Sequence, residues 1–276
     1  MLKYGKRPAR SDARDALYAT FRAKLAAAGK LPATPPPPWG HGNDFEGEAW
    51  LMLGNGPDET IPPEWTAARE GCSDCAWACP AHIIMELASN TGRPVPPFNG
   101  KVVVEQYAEY SGYDPTTGAN DNGSDLREVL KWWQTKGIRD ADGTIHKIGP
   151  FVALEPKNLE HLLECAHLFE FVMTGVEVPA SAQHEFNEGK PWSVVPEAKI
   201  EGGHCVPFMG EPSASELAFV TWARRTLATN DFYTTYNDEA YAVITAEQFK
   251  AVTGKDYEGY DEAQLEEYLG LVGTGS

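Results

Sequence analysis

No apolar run in this 276-residue chain approaches the roughly 20 residues needed to cross a bilayer, so a membrane partner is not expected. Basic residues are scarce. Lys and Arg number 23 against 40 Asp and Glu, a net charge of −17. That excess disfavours a polyphosphate backbone, so no nucleic-acid partner is expected either. Cysteine is sparse and odd in number: of five, three crowd between positions 72 and 79. A disulfide framework is therefore not predicted, and the thiols are read as reduced. The N-terminus, Met1-Leu2-Lys3-Tyr4-Gly5-Lys6-Arg7, is basic but leads into no apolar segment, so it does not read as a secretory signal. No internal repeat is visible. What the chain does have is the 42% hydrophobic and 11% aromatic content of a globular protein able to bury a sizeable core.

Residues 1–45 read as an N-terminal arm, 46–247 as the main domain and 248–276 as an acidic tail. The arm holds a predicted helix from Asp12 to Ala28, then a polyproline-like connector from Leu31 through Pro35-Pro36-Pro37-Pro38-Trp39. It wraps the body, occludes a cleft as a pro-segment, or binds a neighbouring subunit. A helix is expected from Cys75 to Ser89, with Pro80 kinking it or closing its first turn. The spacing over Val102 to Tyr110 fits a helix or a buried strand equally. Helices are expected from Ser124 to Lys136 and from Asn158 to Leu168, and strands over Lys147 to Leu154 and Phe171 to Val178. From His204 onward the pattern is that of an antiparallel sheet, clearest at Phe219-Val220-Thr221-Trp222 and Ala240-Tyr241-Ala242-Val243-Ile244. A helical first half and a strand-rich second half predict an α+β fold.

Two motifs carry chemistry. Gly71-Cys72-Ser73-Asp74-Cys75-Ala76-Trp77-Ala78 puts a cysteine in the first turn of a helix, and Gly202-Gly203-His204-Cys205-Val206 puts a histidine at the start of an apolar strand. A thiolate is the nucleophilic form of cysteine, and a helix N-terminus and an imidazolium both favour it. Ser73 and Asp74 offer capping side chains, and a capping role would remove the opposing charge of Asp74. The Gly-Gly pair is expected to let the histidine strand pass close to the cysteine helix. Read without function, Cys75 is a buried structural thiol and His204 a satisfied core histidine. Cys72, Cys75, Cys79 and His82 also have the residue types of a zinc set, but all four fall within one short stretch with no second knuckle. Inward packing of Cys79 and His82 beneath the nucleophile is preferred, and no metal or cofactor is expected. Asp114, Asp121, Asn122 and Asp125 lack calcium-loop spacing and read as a solvated turn with a helix cap.

The order of these segments resembles the papain-like cysteine peptidase superfamily over roughly residues 50–247. Cys75-Ala76-Trp77-Ala78, Asp121-Asn122-Gly123-Ser124-Asp125-Leu126-Arg127, Gly175-Val176-Glu177-Val178, Gly202-Gly203-His204-Cys205-Val206 and Val220-Thr221-Trp222-Ala223 carry the likeness. Met52-Leu53-Gly54-Asn55, Tyr113-Asp114-Pro115 and Asp238-Glu239-Ala240-Tyr241-Ala242-Val243 narrow it to members encoded by phages and prophages. The resemblance implies a nucleophile-bearing central helix packed on an antiparallel sheet or barrel, with an extended N-terminal arm. It implies Cys75 as nucleophile and His204 as general acid and base. Where the superfamily orients this histidine with Asn or Asp before a tryptophan, this chain has Val220 and Thr221, so Thr221 is the candidate orienting residue. Where it has an oxyanion-hole glutamine, this chain has Arg69, and Asn55 is the better candidate. The implied function is a peptidase or amidase acting on a peptide or protein substrate. The alternative is an inactive papain-fold structural protein of a virion, its arm binding other virion proteins. The implied location is the host cytoplasm or the virion.

Overall fold

The computed structural model describes residues 3–12, 17–27, 29, 31, 33–40, 59–222, 224–248, 254, 255, 261, 263 and 264. In chain order the elements begin with α1 (Tyr18–Ala27), β1 (Trp39–Gly40), α2 (Thr66–Glu70), α3 (Cys75–Asn90), α4 (Gly100–Ser111) and α5 (Leu126–Thr135). The hairpin β2 (Ile138–Arg139) and β3 (Ile145–His146) follows, then β4 (Ile148–Ala153), α6 (Leu159–Phe169), β5 (Val172–Pro179) and α7 (Ala180–Asn187). Last come β6 (Ile200–Ser213), β7 (Glu216–Thr221), β8 (Arg224–Thr229), α8 (Asn230–Tyr236), β9 (Asn237–Thr245) and a 3₁₀ turn, Ala246–Gln248. No helix among the described residues is long and apolar enough to cross a membrane.

Local chemistry places the helices. The ambiguous stretch 102–110 is helical because Asn99 caps its start, accepting from the Val102 N–H at 3.0 Å, and Gly112 ends it in the left-handed conformation. Asp125 and Asn158 cap α5 and α6 in the same way. The central helix α3 is buried along almost its whole length and runs on through Pro80. Such a helix, apolar on every side, belongs inside a core. It packs on β6, α4 and α5, with Trp77 against Tyr110 and Trp132. α1 begins at Tyr18, later than the expected Asp12, and Tyr18, Phe21 and Leu25 join a second core with α6 and the sheet.

The sheet runs β4-β9-β5-β6-β7-β8, with β1 pairing separately on β6, and each of these pairings is antiparallel. It is open: among the described residues no pairing joins β4 to β8, so it is a sheet and not a barrel. At its centre β5 lies between β6 and β9. There Gly175 faces Cys205 on one side and Glu239 on the other, and Val176 faces His204. Between Gly175 and Val176 the register with β9 shifts, because Gly175 opposes Glu239 while Val176 opposes Asn237. Asp238 is thus the extra residue of a β-bulge, a device that re-aims side chains. Asn237 pins the bulge, its amide donating to the Gly175 and Glu239 carbonyls at 2.8 and 2.9 Å.

Candidate active site

Cys75 is the first residue of α3, and its N–H belongs to the helix start that has no intrahelical partner. Asp74 occupies the cap position, but its carboxyl accepts no capping hydrogen bond; it is buried and turned to Cys72. Burial drives the Asp74 carboxyl well above the usual carboxylate range, which weakens the charge that would oppose a thiolate. The expected capping by Asp74 is therefore replaced by neutralisation. Loop 121–124 is fixed against the helix start. Asp121 accepts from the Ser73 N–H and from the Tyr107 hydroxyl, each at 2.9 Å, and Tyr107 in turn accepts from the Gly123 N–H at 2.9 Å. Asp121 and Asp125 thus serve loop and cap, though Ser124 and Asp125 are buried where a solvated turn was expected, and Asp114 caps its own turn through Thr116 and Thr117.

His204 lies near the start of β6 and lines one small cavity with Cys75, Cys79, His82, Cys205, Thr221 and Trp222. The cavity holds about 20 Å³, room for a single water. His204 Nε2 is 2.7 Å from the Oγ1 of Thr221, the residue before Trp222. The Trp222 ring stacks on the imidazole with centroids 4.9 Å apart and 24° between planes. Its backbone φ of +45° is rare for a bulky residue, a strain of about 1–3 kcal/mol that the surrounding packing must hold. Trp192 and Phe186 do so, at 5.5 and 5.0 Å from the Trp222 ring. His204 Nδ1 is buried without a hydrogen-bond partner. Cys79 and Cys205 line the same cavity beneath this group, while Cys72 turns away toward Asp74. Among the described residues no set of His, Cys, Asp and Glu has the geometry of a metal site. Asn55 lies outside the described residues, and Arg69 is committed to the Ile61 carbonyl at 2.7 Å.

The arm fills the cleft. The Lys6 N–H donates to the Gly203 carbonyl at 2.9 Å, the Ser124 N–H to the Gly5 carbonyl at 2.7 Å, and the Arg7 N–H to the Ser124 carbonyl at 2.9 Å. Gly202 and Gly203 are open for the arm and not for the cysteine helix: a Cβ on them would lie 2.8 Å from Tyr4 Cβ and 2.6 Å from the Lys6 carbonyl oxygen. At Gly5 a Cβ would lie 2.0 Å from the Ser73 carbonyl oxygen. Tyr4 stands edge-on to His204 and Trp222 at 6.1 and 6.0 Å. The Gly5 and Cys205 backbone beside the Cys75 sulfur favours the thiolate, but burial outweighs it. Gly5 turns its carbonyl to the Ser124 N–H.

Burial under the arm sets the protonation states. It pushes the Cys75 thiol far above its ordinary value and the His204 imidazole down to about 3. With the arm seated the pair is a neutral thiol and a neutral imidazole, not the thiolate–imidazolium expected from the motif alone. The sequence reading did not single out Lys6, Gly5, Ser124, Asp238 or Glu239 for the site. The signal available was a basic N-terminus on a strongly acidic chain.

No protein-family model and no curated protein sequence matches the chain. Among solved structures it is similar to xylellain, a cysteine protease from Xylella fastidiosa, with TM-score 0.58 and 14% identity over 88% of this chain and 96% of that one. Weaker similarities run to procathepsin B S9 of Trypanosoma congolense (TM-score 0.46, 11% identity, 78% and 84% covered) and to procathepsin L 3 of Tenebrio molitor larval midgut (0.44, 10%, 81% and 86%). At these identities the likeness is one of fold: the chain has the α+β fold of the papain-like cysteine proteases.

Proposed function

We propose that the chain is a latent cysteine peptidase whose own residues 3–7 close its cleft. The observation that carries this reading is the convergence of Cys75 and His204 on one cavity, with His204 held by Thr221 and covered by Trp222. Once the arm leaves, water re-enters and the burial that keeps both groups neutral is relieved. The Cys75 proton passes to His204 Nδ1, and the sulfur attacks a peptide carbonyl carbon. The Cys75 N–H donates to the oxyanion, with Asn55 the candidate second donor. His204 then gives its proton to the leaving amine, and water hydrolyses the thioester. Thr221 orients the imidazole throughout. The phage or prophage setting, with a virion protein or a cell-wall peptide as substrate, rests on the sequence motifs.

A second reading is a structural virion component that keeps the fold with its cleft permanently filled. The depth of the arm's seating favours it, since Cys75 and His204 are both buried. Gly5→Ala separates the two, because its added methyl clashes with the Ser73 carbonyl and unseats the arm. A peptidase cleaves a denatured protein substrate as the Gly5→Ala chain, and Cys75→Ala on that background abolishes cleavage. A Gly5→Ala chain whose Cys75 is alkylated by iodoacetamide but which cleaves nothing contradicts the peptidase reading.

A further inference from the structure

His146, the last residue of β3, is buried and lies outside the cavity of Cys75 and His204. Each of its ring nitrogens meets a carboxylate: Nδ1 is 2.7 Å from Glu247 Oε1 and Nε2 is 3.1 Å from Asp140 Oδ2. A ring placed so needs two N–H donors, and only the imidazolium has two. Among the described residues no other cation pairs with either carboxylate. Lys147 turns away to the Thr135 carbonyl, and Arg139 lies against Glu105 on α4. The Phe98 ring, 5.6 Å off, brings no charge, and α3 brings only a hydroxyl, Thr91 Oγ1, which donates to the Glu247 carbonyl at 2.8 Å. Burial pulls the His146 pKa down, but the hydrogen bonds and charges of Glu247 and Asp140 more than offset it and leave it raised.

The two carboxylates are held with unequal firmness. Asp140 is fixed in the β2–β3 turn, its Oδ1 accepting from the Asp142 and Thr144 N–H groups at 3.0 and 2.8 Å. Glu247 stands on a three-residue 3₁₀ turn that leads into the acidic stretch 248–276. Thr91 closes α3, so this turn rests on the end of the helix opposite Cys75. Loss of the shared proton leaves both carboxylates facing a ring with one N–H, and the short turn is the side that can yield. Residues 248–276 carry six Asp and Glu against two Lys on a chain of net charge −17, so repulsion from the body favours release.

We infer that His146 is a proton-operated clasp for the C-terminal segment. With both ring nitrogens protonated it fastens the 246–248 turn across the hairpin and the end of α3, and with the ring neutral it lets that turn go. The clasp does not depend on the peptidase reading of Cys75. Because the closed pKa lies above the open one, the clasp is at full strength below about pH 6.5. It weakens by up to about tenfold per pH unit as the pH rises toward the raised value, and is constant above it.

The test is hydrogen–deuterium exchange of the full chain from about pH 6 to 9, corrected for the intrinsic rate at each pH and read in peptides covering 244–250. An NMR titration of the His146 ring runs alongside. The clasp predicts a ring that titrates above its ordinary value near 6.5, and exchange at 246–248 that speeds at least about tenfold through that titration while α3 and β6 stay protected. Glu247→Gln, whose amide can accept from an imidazolium or donate to a neutral ring, should keep the turn protected across the range. His146→Gln, which removes the cation, should exchange at the open rate at every pH. The unsubstituted chain decides the matter even where a variant fails to fold. A His146 ring that titrates at or below its ordinary value overturns the clasp, and so does a turn whose exchange is unchanged while the ring titrates.

Discussion

Removing the Lys6 ammonium, which reaches Asp238 Oδ2 at 2.7 Å and Glu239 Oε1 at 3.1 Å, should open the cleft, and the structure gives the size of the effect. Breaking a buried ion pair by deleting one partner costs about 3–5 kcal/mol, because the other charge is left behind in a poor medium. Glu239 is 7% exposed and fits that case, but Asp238 is 23% exposed and water relieves part of its penalty. A discounted figure of about 2–3 kcal/mol for Lys6→Ala follows. The backbone bonds of residues 5–7 are unaffected, so the loss falls on the equilibrium between seated and released arm. At about 1.4 kcal/mol per factor of ten, the released fraction rises roughly 30- to 150-fold. Iodoacetamide labelling of Cys75 at neutral pH, read by peptide mass spectrometry under conditions where the arm opens and closes faster than the reagent reacts, should rise by that factor. Cys72, Cys79, Cys165 and Cys205 are buried in the body and should stay unreactive. A rise below about threefold, or a rise shared by all five thiols, would contradict a latch at Lys6. The first outcome means that the ion pair does not latch the arm; the second means that the whole domain has loosened.

Thr221→Val deletes the hydroxyl that meets His204 Nε2 and leaves a buried ring nitrogen unpaired. It should lower stability by about 1–3 kcal/mol in urea unfolding. In the Lys6→Ala background it should also slow peptide cleavage about tenfold or more as the imidazole loses its orientation. The buried His204 also makes the closed form acid-sensitive. Its folded pKa is about 3, below the ordinary value near 6.5, so the unfolded chain binds a proton that the folded chain refuses between those limits. Its contribution is intact above about pH 6.5 and is lost as the pH falls toward 3, by at most about 1.4 kcal/mol per pH unit. The urea midpoint of the native chain should therefore fall more steeply than that of His204→Gln between pH 6.5 and 4.5. Parallel slopes would mean that His204 is solvated.

Much of this architecture was legible from local chemistry. The cysteine at the start of α3 and the histidine near the start of β6 sit on the elements their motifs implied, and Thr221 meets His204 as its place before Trp222 suggested. Caps at Asn99, Asp125 and Asn158 made helix starts readable or, at residues 102–110, decided what periodicity left open. The short helices α7 and α8 and the two-residue strands β2 and β3 offered too few residues for a period to show. The seating of the arm was illegible for a different reason. Arg7 meets Ser124 117 residues away, and Lys6 meets Gly203 197 and Asp238 232 residues away; no local pattern encodes such meetings. The bulge at Asp238 was equally hidden, because Asp238-Glu239 reads in sequence as two carboxylates on opposite faces of a strand. Burial under the arm then reversed the protonation expected of the pair, an effect that no property of Cys75 or His204 alone contains.

The most direct test of the central claim is the pH profile of Cys75 alkylation by iodoacetamide in the Lys6→Ala chain, compared with the same chain carrying His204→Ala. A working thiol–imidazole site held shut by its arm predicts selective labelling of Cys75 at about pH 5.5, where an ordinary thiol is inert, and loss of that labelling without His204. Reactivity that appears only above about pH 8 and does not depend on His204 would contradict it, leaving Cys75 as an ordinary buried thiol on a papain-like scaffold.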